Sequence, residues 1–248
     1  PTFPSQRLST RGLTVDRMGF CSSHDGTGIW WGTVGEGPTL VLCDGFACDG
    51  FIWPYVIDEF LEGFQIVRWH YRGHGNSESP RDPDAVTVED LARDLWAVLD
   101  HLELDDCILA GHSMGVQVIL QAFEMAPKRV RALIPICGTY MRPLETFHGN
   151  DRLQQALPAI DKFVGYAPEK LQAIWTKLTP SRLSFLIAGA SSEINARLVR
   201  REDFQPYLEH VAEMDLQVYV QILKALAEHS AEHILPEIDV PTLIVAAE

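Results

Sequence analysis

Apolar residues fall into two kinds of run along this chain, and the change from one to the other divides it. Between residues 39 and 137, short unbroken apolar stretches alternate with stretches whose apolar positions recur every three or four residues. Residues 39–44 (TLVLCD), 65–71 (QIVRWHY), 107–110 (CILA) and 130–137 (VRALIPIC) are continuous enough to be strands covered on both faces. Between the second and third of these, Leu91, Leu95, Val98, Leu99 and Leu102 share one face of a helix, and Thr87 with Asp90 three residues on forms a capping signal before them. Residues 114–126 (MGVQVILQAFEMA) predict a second helix, stopped by Pro127. Upstream, Asp25-Gly26 and Gly35-Glu36-Gly37-Pro38 punctuate short runs in the manner of a hairpin entering a sheet. Strand, helix and strand in alternation predict an α/β fold: a mostly parallel, doubly wound sheet with helices on both faces.

The pattern changes after Gly138. Residues 139–235 hold helical periodicities, clearest at 216–229 (LQVYVQILKALAEH), and no strand-like run. A strand signal returns at 240–248 (VPTLIVAAE). The expected organisation is a first part of the core at 1–138, a helical insertion at 139–235, and resumption of the core at 236–248.

Composition narrows the function classes. A length of 248 residues fits one α/β domain, and 46% hydrophobic residues can fill a large core. The formal charge of −14 opposes phosphate backbones and anionic lipid, so neither nucleic acid nor a membrane surface is an expected partner. The five cysteines form no CxxC pair. Cys43, Cys107 and Cys137 sit in apolar runs, where reduced core thiols and a cytoplasmic setting are expected. No run reaches the ~18 apolar residues of a membrane span. Metal-ligand spacings and nucleotide-binding glycine motifs are absent from the sequence, so neither a metal nor another cofactor is expected.

The chemistry concentrates at residues 107–117, CILAGHSMGVQ. Gly111-His112-Ser113-Met114-Gly115 follows a strand and opens a helix, the context a nucleophile elbow needs. Glycines at 111 and 115 let strand and helix approach closely, and the free N–H groups at the start of the helix favour an anion at the serine. His112 is expected to face away from the reacting atom.

These residues resemble the α/β-hydrolase family, and further stretches carry the resemblance from about residue 25 to the end. VLCDGFACDGFIW resembles the family's strand and oxyanion loop, YRGHGNS (71–77) its Arg-Gly-His-Gly loop, and APKRVRALIPI (126–136) the approach to the next strand. The resemblance implies that Ser113 is the nucleophile and that the backbone N–H groups of Met114 and Phe46 form the oxyanion hole. It implies that 139–235 is a cap, whose apolar residues Leu171, Ile174, Trp175, Leu178, Leu183, Phe185, Leu186 and Ile187 pack onto the core and make an apolar roof. Departures from the pattern are Asp44 in place of histidine, His70 in place of aspartate, and Val116 in place of a glycine. A serine at 113 argues against the epoxide-hydrolase and haloalkane-dehalogenase branches, which use a carboxylate nucleophile.

A serine needs an imidazole oriented by a carboxylate, and the family order is serine, acid, histidine. Glu248 falls at the mouth of the acid loop, about two positions short of the usual acid. The histidines at 24, 70, 74, 101, 112, 148, 210, 229 and 233 all precede it. His74 is expected to fix a loop and His101 to meet a helix end. Glu145 is the nearest carboxylate for an alternative acid position. The acid and histidine are therefore expected in a C-terminal segment beyond Glu248. The implied activity is hydrolysis of a small, largely apolar carboxylic ester, lactone or thioester through an acyl-enzyme on Ser113. Carbon–carbon bond hydrolysis or perhydrolysis would use the same serine, and a ligand-binding member without a triad is the non-catalytic rival.

Overall fold

The computed structural model describes residues 15–143, 152–181, 183–184 and 201–246. Six strands form one sheet: β1 (Arg17–Ser22), β2 (Gly28–Val34), β3 (Thr39–Cys43), β4 (Gln65–Trp69), β5 (Cys107–His112) and β6 (Val130–Ile136). Their order is β1-β2-β4-β3-β5-β6. β1 and β2 form the expected hairpin, turning where Gly26 adopts a φ of +86°. β2 then runs antiparallel to β4, and the pairings β4–β3, β3–β5 and β5–β6 are parallel. The Gly35–Pro38 turn thus carries the chain past β4's place to β3 rather than closing a second hairpin.

Residues 241–245 return to the free edge of β6 as a further parallel pairing. Leu243 and Val245 donate to the carbonyls of Leu133 and Pro135 at 2.9 Å, and Leu133 donates to Pro241 O at 3.0 Å. This places the strand expected from the apolar run at 240–248; Glu248 lies outside the described residues.

Alternation along the strands divides the core between the two faces. Leu40 and Leu42 of β3 face α1 (Pro54–Phe60), where they meet Trp53, Ile57 and Ile66. Val41 and Cys43 face α2 (Val88–His101) and α3 (Met114–Met125), where they join Leu91, Leu95, Leu99, Ile119 and Ala122. The stripe on α2 is thus the buried stripe, each large aliphatic side chain contributing about 1.5–3 kcal/mol. Its start is a complete capping box: the Thr87 hydroxyl accepts from the Asp90 N–H, and the Asp90 carboxylate accepts from the Thr87 N–H. α1 arises from FIWPYVIDEF, where Pro54 occupies the first turn and cannot disturb a hydrogen bond there.

Past β6 come α4 (Arg152–Tyr166), α5 (Pro168–Leu178), α6 (Arg201–Glu213) and α7 (Leu216–Glu228). Asp215 caps α7 by accepting from the N–H groups of Gln217 and Val218. Val218, Ile222 and Leu226 of α7 join the main core. Among the described residues no helix is long and apolar enough to cross a membrane.

Two expectations need correction. Ile174, Leu178 and Leu183 do not pack inward: they are 53%, 59% and 65% exposed. α5 instead turns Gln172 and Trp175 inward, and their side chains, with that of the exposed Thr176, donate to the carbonyls of Met214, Val211 and Ala212. Those carbonyls lie at and just past the end of α6, where helical partners run out, and the polar side chains of α5 satisfy them. Phe185, Leu186 and Ile187 lie outside the described residues. Cys137 is exposed, unlike Cys43 and Cys107, because β6 ends at Ile136 and the chain turns out of the sheet there with a φ of +46°.

Candidate active site

β5 delivers the chain to Ser113, whose backbone sits at φ +52°, ψ −113°. A non-glycine residue in this region is strained and persists only where its surroundings hold it. Ser113 N–H donates to Ile136 O at 3.0 Å, and Val116 N–H returns to Ser113 O at 3.0 Å. The flanking glycines are required by close approach. A methyl on Gly111 would collide with the Gly115 carbonyl, one on Gly115 with the carbonyls of Cys43 and Asp44, and one on Gly138 with the Ser113 carbonyl. The sharp turn is therefore wedged between β3, β6 and its own helix. Although Ser113 precedes α3, its hydroxyl does not cap it, and its residue is half-buried. Met114 opens α3, so its N–H lacks an intrahelical partner.

The loop after β3 lies against this turn. A methyl on Gly45 would sit 3.4 Å from Ser113 Cβ and 3.0 Å from His112 Nδ1. Two buried histidines tie the loop down. His74 Nε2 accepts from the Ala47 N–H at 3.2 Å, while its Nδ1 faces Arg72 O at 3.1 Å. His70 Nδ1 accepts from the Asn76 N–H at 2.9 Å, and its Nε2 faces Asp49 O at 3.1 Å. These bonds require Nδ1–H on His74 and Nε2–H on His70. Burial pushes His70 well below its ordinary pKa and takes His74 down to about 3, so both rings are neutral. The Tyr71 hydroxyl donates to Asp44 O at 2.8 Å, and the Trp53 indole donates to the Asp44 carboxylate at 2.7 Å. Ala47 takes a φ of +56° at the crest of the loop. Above it, Ala47 and Phe46 pack against Val211 and Met214 with Trp175 and Tyr219 alongside, and the Phe46 and Tyr219 rings lie 4.6 Å apart.

Strand, strained serine, helix and an adjoining glycine loop coincide with a profile match: the alpha/beta hydrolase fold profile covers residues 38–248. The chain belongs to the α/β-hydrolase fold family. Among curated relatives, bifunctional epoxide hydrolase 2 of Sus scrofa is 25% identical over 216 residues, covering 83% of this chain and 39% of that protein. The chain therefore spans well under half the length of that relative. Among solved structures, the enol-lactonase of Burkholderia xenovorans LB400 superposes with a TM-score of 0.69 at 19% identity, over 92% of this chain and 80% of that one. A thermophilic esterase from Thermogutta terrifontis gives 0.70 at 19% identity, over 92% and 79%. In this α/β-hydrolase Gly45, the residue before Phe46, lies against Ser113, and Met114 follows Ser113 as the first residue of α3.

Most of its described histidines lie elsewhere. His74 fixes a loop, as expected, and His101 ends α2 against Trp31 at 5.5 Å. His24 contacts Asp90 at 3.2 Å. His229 meets Gln121 at 3.1 Å and His233 meets Glu124 at 2.8 Å, both on α3. His112 stands beside Gly45, its pKa lowered by burial. His210 of α6 is buried, 5.9 Å from the His74 ring. None of the hydrogen bonds among the described residues joins a histidine to the Ser113 hydroxyl; His148 and Glu145 lie outside those residues.

Sequence reading missed two buried charges beneath the loop. Arg72 is held by Asp94 through Nε and Nη2 at 2.7 and 2.6 Å, with Ala85 O and Asp25 on Nη1. Burial works against the Arg72 charge, but Asp94 and Asp25 outweigh it and hold the guanidinium ionised. Arg68 is also buried, faces Asp44 and Asp49, and has its pKa lowered by burial. Burial pushes the Asp44 carboxyl up to about 7, against the pull of Arg68 and the Trp53 indole. An arginine and an acid in a strand context read as surface residues in sequence. The usable signal was Asp44 standing where a histidine is common.

Proposed function

We propose that this protein is a serine hydrolase that opens a small, largely apolar carboxylic ester, lactone or thioester through an acyl-enzyme on Ser113. The observation that carries the reading is the strained Ser113 backbone, with the hydroxyl left out of helix capping beside the start of α3 and the Gly45–Phe46 loop. On this reading the Ser113 oxygen attacks the carbonyl carbon, its proton passes to a base, and the resulting oxyanion takes hydrogen bonds from the N–H groups of Met114 and Phe46. Each such donor contributes about 3 kcal/mol to the transition state. The leaving group departs with a proton, and water then releases the acid from Ser113. The base and its orienting acid come from outside the described residues. α6 and α7, packed on Phe46 and Ala47, would serve as the cap, and the aromatic rings there suit an apolar acyl group. A serine rather than a carboxylate at 113 favours acyl transfer over epoxide opening, despite the name of the pig relative.

Treating the intact protein with a fluorophosphonate and mapping the adduct tests the reading. Ser113 is expected to carry the label, and Ser113→Ala to abolish it. Labelling unchanged by the substitution, or a wild-type protein that never labels, defeats it. A panel of aryl esters, lactones, peracid formation and vinylogous diketones then separates ester hydrolysis from the carbon–carbon and perhydrolytic chemistries open to the same serine.

A further inference from the structure

We infer that Tyr219 is a positioning residue of the hydrolytic site: its ring, carried on α7, holds the Phe46 side chain and with it the strained turn that presents the oxyanion loop to Ser113. The inference rests on the serine reading of the site and deepens it, because it makes the seating of α7 a condition of the chemistry.

Cys48 N–H donates to Gly45 O at 3.2 Å and closes a four-residue turn, Gly45–Cys48. Ala47 is its third residue and takes a φ of +56°, a position that glycine ordinarily fills in such a turn. A residue with a Cβ keeps this conformation only where its surroundings hold it. Relaxing Ala47 to a negative φ turns over the Phe46–Ala47 peptide, next to the peptide that carries the Phe46 N–H. From below, two hydrogen bonds grip the peptide at risk. Its N–H, on Ala47, donates to His74 Nε2 at 3.2 Å, and its carbonyl, on Phe46, accepts from the Cys48 thiol at 3.6 Å.

The Phe46 side chain is held from above. Its ring centroid lies 6.5 Å from His74, edge-on, but 4.6 Å from Tyr219. Ala47 packs beside it against Val211 and Met214. Tyr219 is itself a fixed platform, at the end of the first turn of α7. Leu216 N–H donates to Gln172 Oε1 at 2.8 Å, while Gln172 Nε2 donates to Met214 O at 3.0 Å. Val218 sits so close to Gly73, the residue before His74, that a methyl on Gly73 would come within 2.6 Å of Val218 Cγ1. The Trp175 ring flanks Tyr219 at 5.0 Å, and its indole donates to Val211 O at 2.7 Å. One segment, residues 73–74, thus supports both the strained turn and the helix that covers it.

An oxyanion donor works only when its N–H already points at the place where charge will develop. Without the Tyr219 ring, Phe46 loses the wall it lies against and the turn is freer to relax. The effect therefore falls on the step that forms the anion, whatever acyl group is bound.

The experiment labels Ser113 of the intact protein to saturation with two fluorophosphonates, one with a short and one with a long alkyl chain. It separates the limiting rate from the half-saturating concentration. Tyr219→Ala is expected to lower the limiting rate about tenfold with both probes. Tyr219→Phe keeps the ring and is expected to stay close to wild type. Amide hydrogen exchange across residues 44–50 is expected to quicken in the alanine variant and not in the phenylalanine one. A ring that only lines the acyl pocket would raise the half-saturating concentration of the long probe and spare the short one. A ring that only glues the fold would lower the urea midpoint and leave both labelling constants unchanged. Either result in folded Tyr219→Ala overturns the inference while leaving the serine reading intact, as does a Tyr219→Phe variant that loses as much as Tyr219→Ala. Should Tyr219→Ala not fold, Tyr219→Leu, with apolar bulk but no flat face, decides: a limiting rate equal to wild type overturns the inference. Wild type that never labels at Ser113 defeats the serine reading and this inference with it.

Discussion

Arg68 and Arg72 come from the same segment, one inside β4 and one just past it, and both are buried. Arg72 spends every nitrogen: Nε and Nη2 on Asp94, Nη2 also on the Ser23 hydroxyl, Nη1 on Ala85 O and Asp25. Asp94 in turn accepts from Ser23. Arg68 has no acceptor for Nε or Nη1 among the described residues and lies 5.8 Å over the Trp30 ring. A buried charge with complete partners is a fixed clamp, here joining the segment after β4 to α2 and the β1–β2 turn. A buried charge with incomplete partners leaves its acidic neighbours free to change protonation state. The first kind holds the fold; the second lies beside Asp44 and Asp49 in the loop after β3.

The sharpest way to break this contrast is Asp94→Ala. It strands the Arg72 charge in the core and is expected to cost about 3–5 kcal/mol in urea unfolding, nearly independent of pH between 6 and 9. A loss under 1 kcal/mol would mean Arg72 is no clamp. Asp44→Asn comes next. The folded-state pKa of Asp44 is raised to about 7 from 3.8. The stability it contributes is fully present below 3.8 and lost as the pH rises through about 7. At about 1.4 kcal/mol per unit, the variant should gain on wild type by a few kcal/mol between pH 4 and pH 8. Parallel stability curves for the two proteins would refute the raised pKa. Arg68→Met sharpens the same point. It should cost less at pH 5.5, where Asp44 is neutral, than at pH 8.5, where an ionised Asp44 loses a counter-ion. Thr87→Ala should cost about 1 kcal/mol through the cap of α2, at every pH in that range. Smallest is Arg93→Ala on the exposed side of α2. Its pair with Glu89 is half in water and should contribute about 0.3–0.5 kcal/mol, vanishing in high salt.

Much of the core was legible because it follows local rules. Apolar runs of strand length, the Thr87–Asp90 box and the Pro127 stop each encode a boundary in adjacent residues, and each element formed where its signal stood. The elbow was legible for the same reason: Gly111 and Gly115 bracket Ser113, and both are needed for contacts within a few residues or with the next strand. α1 was less visible, since its seven residues carry too few turns to show a period. The stripe on α5 misled, because Ile174 and Leu178 share a helical face that this fold leaves exposed, while polar side chains take the inner face. Nothing in residues 168–178 alone states which face will find carbonyls short of partners.

By itself, then, the amino-acid order determined the alternating elements, their faces and the strained serine turn, because each depends on periodicity or on residues near in the chain. Which strand lies beside which, the meeting of the Asp44–Gly50 loop with Ser113, and the state of a carboxyl between Trp53 and Arg68 were decided by tertiary structure. Those depend on burial and on distances between residues far apart in sequence, and a carboxyl's charge is settled by the water it loses and the partners it gains.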